Sequence, residues 1–188
     1  HDEALFRKTQ AGTLTSKQEH DAFQERLRAL PADDPKMTPY IAKDGYASGD
    51  YRDMNGFLQG SETPYNPTRT VQQITQMDRA FDEAGFVNDQ YRVVKRGIHP
   101  GENFDPATFY REGDILQEPG YVSTALEDTR SFAGADGWTM DIMVPPGHRY
   151  VYGTYYEREL IWDRGLTQRV VKVDPETRHI WLEVEPPE

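Results

Sequence analysis

The 188-residue chain contains no cysteine. That removes disulfides, thiolate metal sites and cysteine nucleophiles together. No apolar run comes near the ~18–20 residues a membrane-spanning helix requires. Basic residues are the minority, 21 against 32 acids, giving a net charge of −11. A protein that tracks a phosphate backbone needs basic stripes, so the balance argues against nucleic acid as a partner. A small anion can still be held by a few local cations or backbone amides. The five histidines show no His-x-x-x-His or His-Glu-x-x-His spacing, so no metal site is expected. Gly-x-Ser-x-Gly, Gly-x-Gly-x-x-Gly and Walker patterns are also missing, against hydrolase-elbow, Rossmann and P-loop sites. The N-terminal His1-Asp2-Glu3 is polar, with no apolar segment behind it, and does not read as a signal peptide. Without an initiator Met, the chain reads as an excised domain or processed fragment.

What is present is enough for a core. Hydrophobic residues make up 36%, and a chain of this length buries about 70% of its unfolded surface. One domain over residues 1–188 is expected. Residues 1 to about 88 read as mainly helical. Ser16 to Glu19 forms a capping box ahead of Phe23, Leu27 and Leu30, and Pro31 ends that run. Asp50 is placed as the cap of a second helix carrying Tyr51, Met54, Phe57 and Leu58. A third helix, Thr70 to Ala84, has Val71, Ile74, Met77, Ala80 and Phe81 on one face and Gly85 just past its end.

From about residue 89 the period changes to two. Strands are expected at Tyr91–Ile98, Tyr121–Leu126, Trp138–Val144, Tyr150–Tyr152, Arg158–Trp162, Gln168–Val173 and His179–Glu185. Asp105-Pro106 opens a short helix, and Asp174 to Thr177 turns the last two strands into a hairpin. Helices followed by many short strands predict an α+β fold, with N-terminal helices and a β-sandwich core.

Three short motifs carry functional side chains. Glu157 and Glu159 are two apart on a strand, so their carboxylates share one face. Such a pair fits a solvated strand end, and it also fits a glycosidase flanking a scissile bond. Arg96-Gly97 ends a strand; arginine offers a planar donor fork for phosphate, and glycine lets a ligand approach the backbone. The same pair also reads as an ordinary strand end and turn. In Tyr121-Val122-Ser123-Thr124, adjacent hydroxyls point to opposite faces, so only one can serve a given cleft.

Taken in order, these motifs resemble the arginine–serine–glutamate class of mono-ADP-ribosyltransferases. The resemblance is carried by Val93 to Ile98, Gly120 to Ala125 and Tyr156 to Gly165. Upstream, Tyr46 to Gly60, with Tyr51, Asn55 and Leu58, resembles the family's Tyr…Tyr-x-x-Ile-Asn-x-x-Leu helix, with Met54 in place of Ile. Ala125 replaces the last serine of the family's Ser-Thr-Ser. The resemblance implies an NAD-binding cleft and cleavage of NAD+ at the nicotinamide–ribose bond. Arg96 would bind the phosphate and ribose part, and Gly97 the carboxamide. Ser123 would orient Glu159, which would stabilise the ribosyl cation. Glu157 would hold and deprotonate an acceptor arginine. Asn55, Tyr121 and Phe132 are further expected NAD contacts, with Arg130 in the same loop as Phe132. Tyr155 and Tyr156 fall where the family recognises its target.

The function so implied is an arginine-specific toxin or effector, secreted or injected and acting in a target-cell cytoplasm. NAD+ is its substrate, no metal is called for, and membrane contact is not expected. Its partners would be a protein bearing the acceptor arginine and a cognate immunity protein. The competing readings are an NAD+ glycohydrolase with water as acceptor and a catalytically silent protein-binding domain.

Overall fold

In a computed structural model, the described residues are 21–22, 25–26, 28–31, 33–34, 45–61, 63–126, 136–153 and 159–188. The Ser16 capping box, Phe23, Leu27, Arg130, Phe132, Tyr155, Tyr156, Glu157 and Arg158 lie outside them.

Backbone at residues 21, 22, 25, 26 and 28 is helical. A π-helical turn, Tyr46–Asp50, leads directly into α1, Tyr51–Gln59. Asp50 does not cap α1. Its carboxylate instead accepts from Gln73 Nε2 at 2.7 Å, tying the turn to the next helix. Gly60 ends α1 at φ 69°, where its lack of a β-carbon removes the left-handed penalty. Helix α2 spans Pro67–Ala84, three residues earlier than the apolar pattern suggests. Asn66 supplies the cap by accepting from the Arg69 amide, and Pro67 occupies the first helical position. Gly85 is extended rather than left-handed (φ −64°). Its role is steric, because a β-carbon there would sit 2.2 Å from the Phe81 carbonyl oxygen.

Among the described residues nine strands follow: β1 Phe86–Val87, β2 Arg92–Ile98, β3 Ile115–Glu118, β4 Val122–Ala125, β5 Trp138–Val144, β6 Arg149–Tyr152, β7 Glu159–Trp162, β8 Leu166–Asp174 and β9 His179–Val184. A short helix, α3 (Pro106–Phe109), lies between β2 and β3 with Asp105 as its cap. The fold is α+β, as the sequence predicts. The strands are hydrogen-bonded into one continuous sheet of order β1-β6-β7-β4-β2-β5-β9-β8-β3. All described pairings are antiparallel except β5 with β9. β5 is buried at every position, which fits a central strand with a parallel neighbour. β9 alternates, with Ile180, Leu182 and Val184 inward.

The sheet narrows at one place. β2 and β4 share a single register pair, Lys95 with Ala125, whereas β2 and β5 share seven. The two halves fold over a common core. Met140, Ile142, Ile180 and Leu182 from one half cluster with Val122, Tyr150, Leu160 and Trp162 from the other. Each such side chain, fully buried, contributes about 1.5–3 kcal/mol by leaving water. A second cluster joins the helices to the sheet. It contains Tyr46, Met54, Ile74, Met77 and Phe81 with Tyr121, Val151 and Ile161.

Candidate active site

Ser123 on β4 and Glu159 at the start of β7 meet across the antiparallel pair. Ser123 faces Ile161 and Ala125 faces Glu159 in register. The Ser123 hydroxyl donates to Glu159 Oε1 at 2.5 Å. Glu159 is only 5% exposed, and a carboxylate so deep is costly unless it is hydrogen-bonded. Room for it comes from Gly153. A β-carbon there would lie 2.2 Å from Glu159 Oε2, and the Gly153 amide donates to the Glu159 carbonyl. Thr124 turns the other way, as strand alternation requires. Its hydroxyl donates to the Leu160 carbonyl and accepts from Trp162 Nε1 at 3.0 Å, deep in the main core.

Arg96 lies on β2 opposite Met140, and Gly97 lies opposite Thr139. Arg96 is partly buried, close enough for its charge to act on the phenols of Tyr46 and Tyr110. Burial pushes the Tyr46 phenol up to about 12. The Asn55 hydrogen bond and Arg96 pull it down, while Glu159 and Glu118 push it further up. The Tyr46 phenol is thus within electrostatic reach of both Arg96 and Glu159. Burial also raises the Tyr110 phenol, with Arg96 lowering it and Glu118 raising it.

Asn55 is used internally. Its Oδ1 accepts from the Tyr121 amide at 2.9 Å, and its Nδ2 donates to the Tyr121 carbonyl at 3.1 Å and to the Tyr46 hydroxyl at 3.2 Å. The side chain thus pairs with the Tyr121 backbone as another strand would. Gly120 permits this approach, since a β-carbon there would lie 2.6 Å from Asn55 Oδ1.

Tyr121 also departs from its expected role. Its ring is 1% exposed and stacks on Phe81, at 5.7 Å and 3°. Its hydroxyl donates to Asp78 Oδ1 at 2.6 Å and to the Ile74 carbonyl. The ring serves the helix–sheet interface: it lies on the same face of β4 as Ser123, at the end that α2 covers. Asp78 is held in turn by Arg164 through Nε and Nη2, at 3.0 and 2.9 Å. The flanks of Ser123 and Glu159 are therefore both tied to helix α2 through one carboxylate. The sequence reading missed this junction, whose only signal is an acid in the polar stripe of α2 and an arginine past β7.

On the far side of β2, Lys95 Nζ donates to Asp141 Oδ1 at 2.6 Å. His179 Nε2 lies 3.2 Å from the same oxygen, and His179 Nδ1 lies 2.6 Å from the Thr139 hydroxyl. Burial works to raise the Asp141 carboxyl, but the bonds from His179 and Lys95 outweigh it and hold the group below the usual range. Asp141, Lys95, Ala125 and Glu159 stand in register across four adjacent strands. The position where the family's serine is replaced by alanine thus separates Glu159 from this buried ion pair. Among the described residues, no three His, Asp or Glu side chains are grouped to hold a metal ion.

The model of the ADP-ribosyltransferase exoenzyme family matches residues 41–184, more than half of the chain. The chain belongs to that family. It is accordingly an ADP-ribosyltransferase, of an enzyme class whose substrate is NAD+. A search of curated proteins finds no sequence match. Solved structures match in fold. The Clostridium limosum C3 exoenzyme aligns at TM-score 0.69 and 19% identity, over 91% of this chain and 93% of its own. Plx2a, an ADP-ribosyltransferase toxin from Paenibacillus larvae, aligns at 0.67 and 15%, over 92% and 96%. ADP-ribosyltransferase Vis in complex with agmatine aligns at 0.65 and 16%, over 94% and 86%. Family membership assigns the reaction class. At these identities the structural likenesses carry the fold alone.

Proposed function

We propose that the chain is an arginine-specific mono-ADP-ribosyltransferase toxin or effector domain, with residues 1–188 as a single domain. The observation that carries the reading is the buried Ser123–Glu159 hydrogen bond. A fixed carboxylate beside developing positive charge is the preorganised electrostatics that can supply several kcal/mol of barrier lowering.

In the proposed reaction the C1′–N bond between ribose and nicotinamide breaks. Nicotinamide leaves as a neutral ring with the bonding pair. Glu159 stabilises the cation left on the ribose and accepts from its hydroxyl, while Ser123 keeps the carboxylate in place. Arg96 neutralises the pyrophosphate, and backbone groups of Gly97 hold the carboxamide. A guanidine nitrogen of the target then bonds to C1′. Free guanidinium has a pKa above ~12 and is a poor nucleophile until it loses a proton; that proton goes to Glu157. Phe132 is proposed to contact the nicotinamide end, and Tyr155 and Tyr156 to meet the target protein. Asn55 and Tyr121 act by shaping β4, with NAD+ meeting the backbone they hold.

The arginine acceptor is supported by Glu157, two residues before Glu159, and by Vis, a relative in fold whose structure holds agmatine, a guanidine. The test is nicotinamide release from NAD+ with and without agmatine. Release with labelled ADP-ribosyl-agmatine supports the reading. Release with water as the acceptor in both cases replaces it by the glycohydrolase. No release in either case removes both.

A further inference from the structure

Phe104, Phe109 and Tyr110 form an aromatic cluster on the connection between β2 and β3. Ring centroids are 5.1 Å apart for Phe104–Phe109, 4.9 Å for Phe109–Tyr110 and 6.5 Å for Phe104–Tyr110. Tyr110 packs against the main core, but Phe104 is 37% and Phe109 55% exposed. The backbone fixes this arrangement. The Phe104 amide donates to Gly101, Asp105 caps α3 through the Ala107 amide, and Pro106 starts the helix. Two phenylalanines held outward by a hydrogen-bonded turn are the informative kind of exposed apolar surface. Aromatic side chains are enriched in the buried centres of protein interfaces.

The surroundings state the chemistry of the partner. Between Gly101 and Glu118 the chain carries Glu102, Asp105, Glu112, Asp114 and Glu118 against one base, Arg111. Glu102, Asp105 and Glu112 are exposed. Such a rim repels an acidic surface and steers a basic one, while the rings supply the area to be buried. Tyr110, against which both phenylalanine rings pack, is within electrostatic reach of Arg96 and Glu118. An arginine donated by a protein must arrive with the surface around it, and that surface is basic at least at its centre.

We propose that the Phe104–Phe109 patch and its acidic rim dock a basic, apolar-studded surface of the protein whose arginine is modified. The proposal rests on the arginine-transfer reading and adds to it a contact area on the β2–β3 connection.

The test uses fluorescence anisotropy, without NAD+, of a labelled 20-residue helical peptide with leucines at i, i+3, i+4 and i+7 and arginines between them. Wild type is compared with Phe104→Ser/Phe109→Ser and with Glu102→Lys/Glu112→Lys. Each double variant is expected to bind at least tenfold more weakly, while nicotinamide release and agmatine transfer stay within twofold of wild type. Three results would overturn the proposal: no binding by wild type, unchanged binding by the phenylalanine variant, or equal wild-type binding to a peptide with serines for leucines. A parallel fall in agmatine transfer in the phenylalanine variant would also overturn it, by placing the rings within the small-molecule site. Absence of nicotinamide release from wild type would sink the transfer reading separately, because the peptide is measured without NAD+.

Discussion

Gly153 and Glu159 fit one another: the space a β-carbon would take at 153 is occupied by the Glu159 carboxylate, 2.2 Å from where that carbon would stand. Glu159 can lie buried and bonded to Ser123 only because residue 153 has no side chain. Gly153→Ala should therefore displace the carboxylate. Misplacement of a reacting group by about 1 Å costs roughly 100-fold in rate, so nicotinamide release is expected to fall by about that factor. Overpacking costs about 1–3 kcal/mol, and thermal melting will show whether the fold survives. Activity at wild-type level in Gly153→Ala would mean that Glu159 is not held where the reaction needs it.

Adjacent hydroxyls on β4 should differ in their effect on activity. Ser123→Ala removes the bond that orients Glu159 and leaves the core untouched. A large fall in turnover is expected, together with a stability loss of about 1.5–3 kcal/mol because the buried Glu159 carboxylate loses a donor. Thr124→Val removes the acceptor of Trp162 Nε1. A buried donor left unpaired costs about 1–3 kcal/mol, so urea unfolding should shift while the specific activity of folded protein holds. The opposite assignment of the effects on activity would reverse the reading of which face of β4 lines the cleft.

For Asn55 the expected effect is on the backbone of β4. Asn55→Ala leaves the Tyr121 amide without its partner and the Tyr121 carbonyl with the Tyr46 hydroxyl alone, at a cost of about 1–3 kcal/mol. Gly120→Ala alone should also destabilise, by forcing a β-carbon against Asn55 Oδ1. The double variant should be less than additive by at least ~0.5 kcal/mol, because removing the Asn55 amide frees that space. Strict additivity in denaturant unfolding would count against the direct contact. A raised KM for NAD+ without loss of stability in Asn55→Ala would restore Asn55 as a ligand contact.

Acid should act through Asp141. Its carboxyl is held below the ordinary 3.8 by His179 and Lys95. A folded value below the unfolded one means that the charged form stabilises the fold. That stabilisation is complete above the unfolded value and is lost as pH falls through the lower, folded one. Asp141→Asn should be less stable than wild type at pH 7 by roughly 1–3 kcal/mol. The gap should close as the pH drops below about 4. Urea midpoints for both proteins between pH 7 and 2.5 check this; a gap that widens in acid would have the wrong sign.

Much of this arrangement was legible because it follows from periodicity. Val93 to Ile98 and Trp138 to Val144 alternate or run apolar as strands must, and Ile74, Met77 and Phe81 mark a helix face. Where local chemistry had two outlets, the sequence could not choose. Asp50 has the makings of a helix cap, yet it binds Gln73, a partner 23 residues away. Gly85 reads as a left-handed terminator, but the Phe81 carbonyl is what excludes a side chain there. β1 and β3 are short edge strands whose partners, β6 and β8, come much later in the chain; no local pattern announces such pairing. At the site, the order of Arg96, Ser123 and Glu159 was readable. The close packing of Gly153 and Gly120 was not, since both look like turn glycines until the opposing side chain is known. Tyr121 stands two residues before Ser123, so alternation puts both on one face of β4; helix α2 covers that face at Tyr121, which no local pattern announces.

The Lys95–Ala125 pair, the narrow point of the sheet, divides the labour of the site mechanically. Arg96 rides on the half built from β2, β5, β9, β8 and β3, while Ser123 and Glu159 ride on the half built from β4, β7, β6 and β1. Within each half the strands are laced by several pairs; between the halves, β2 and β4 share one. The spacing of Arg96 and Glu159 is therefore held by the side chains that the two halves bury between them, and not by a ladder of backbone bonds from β2 to β4.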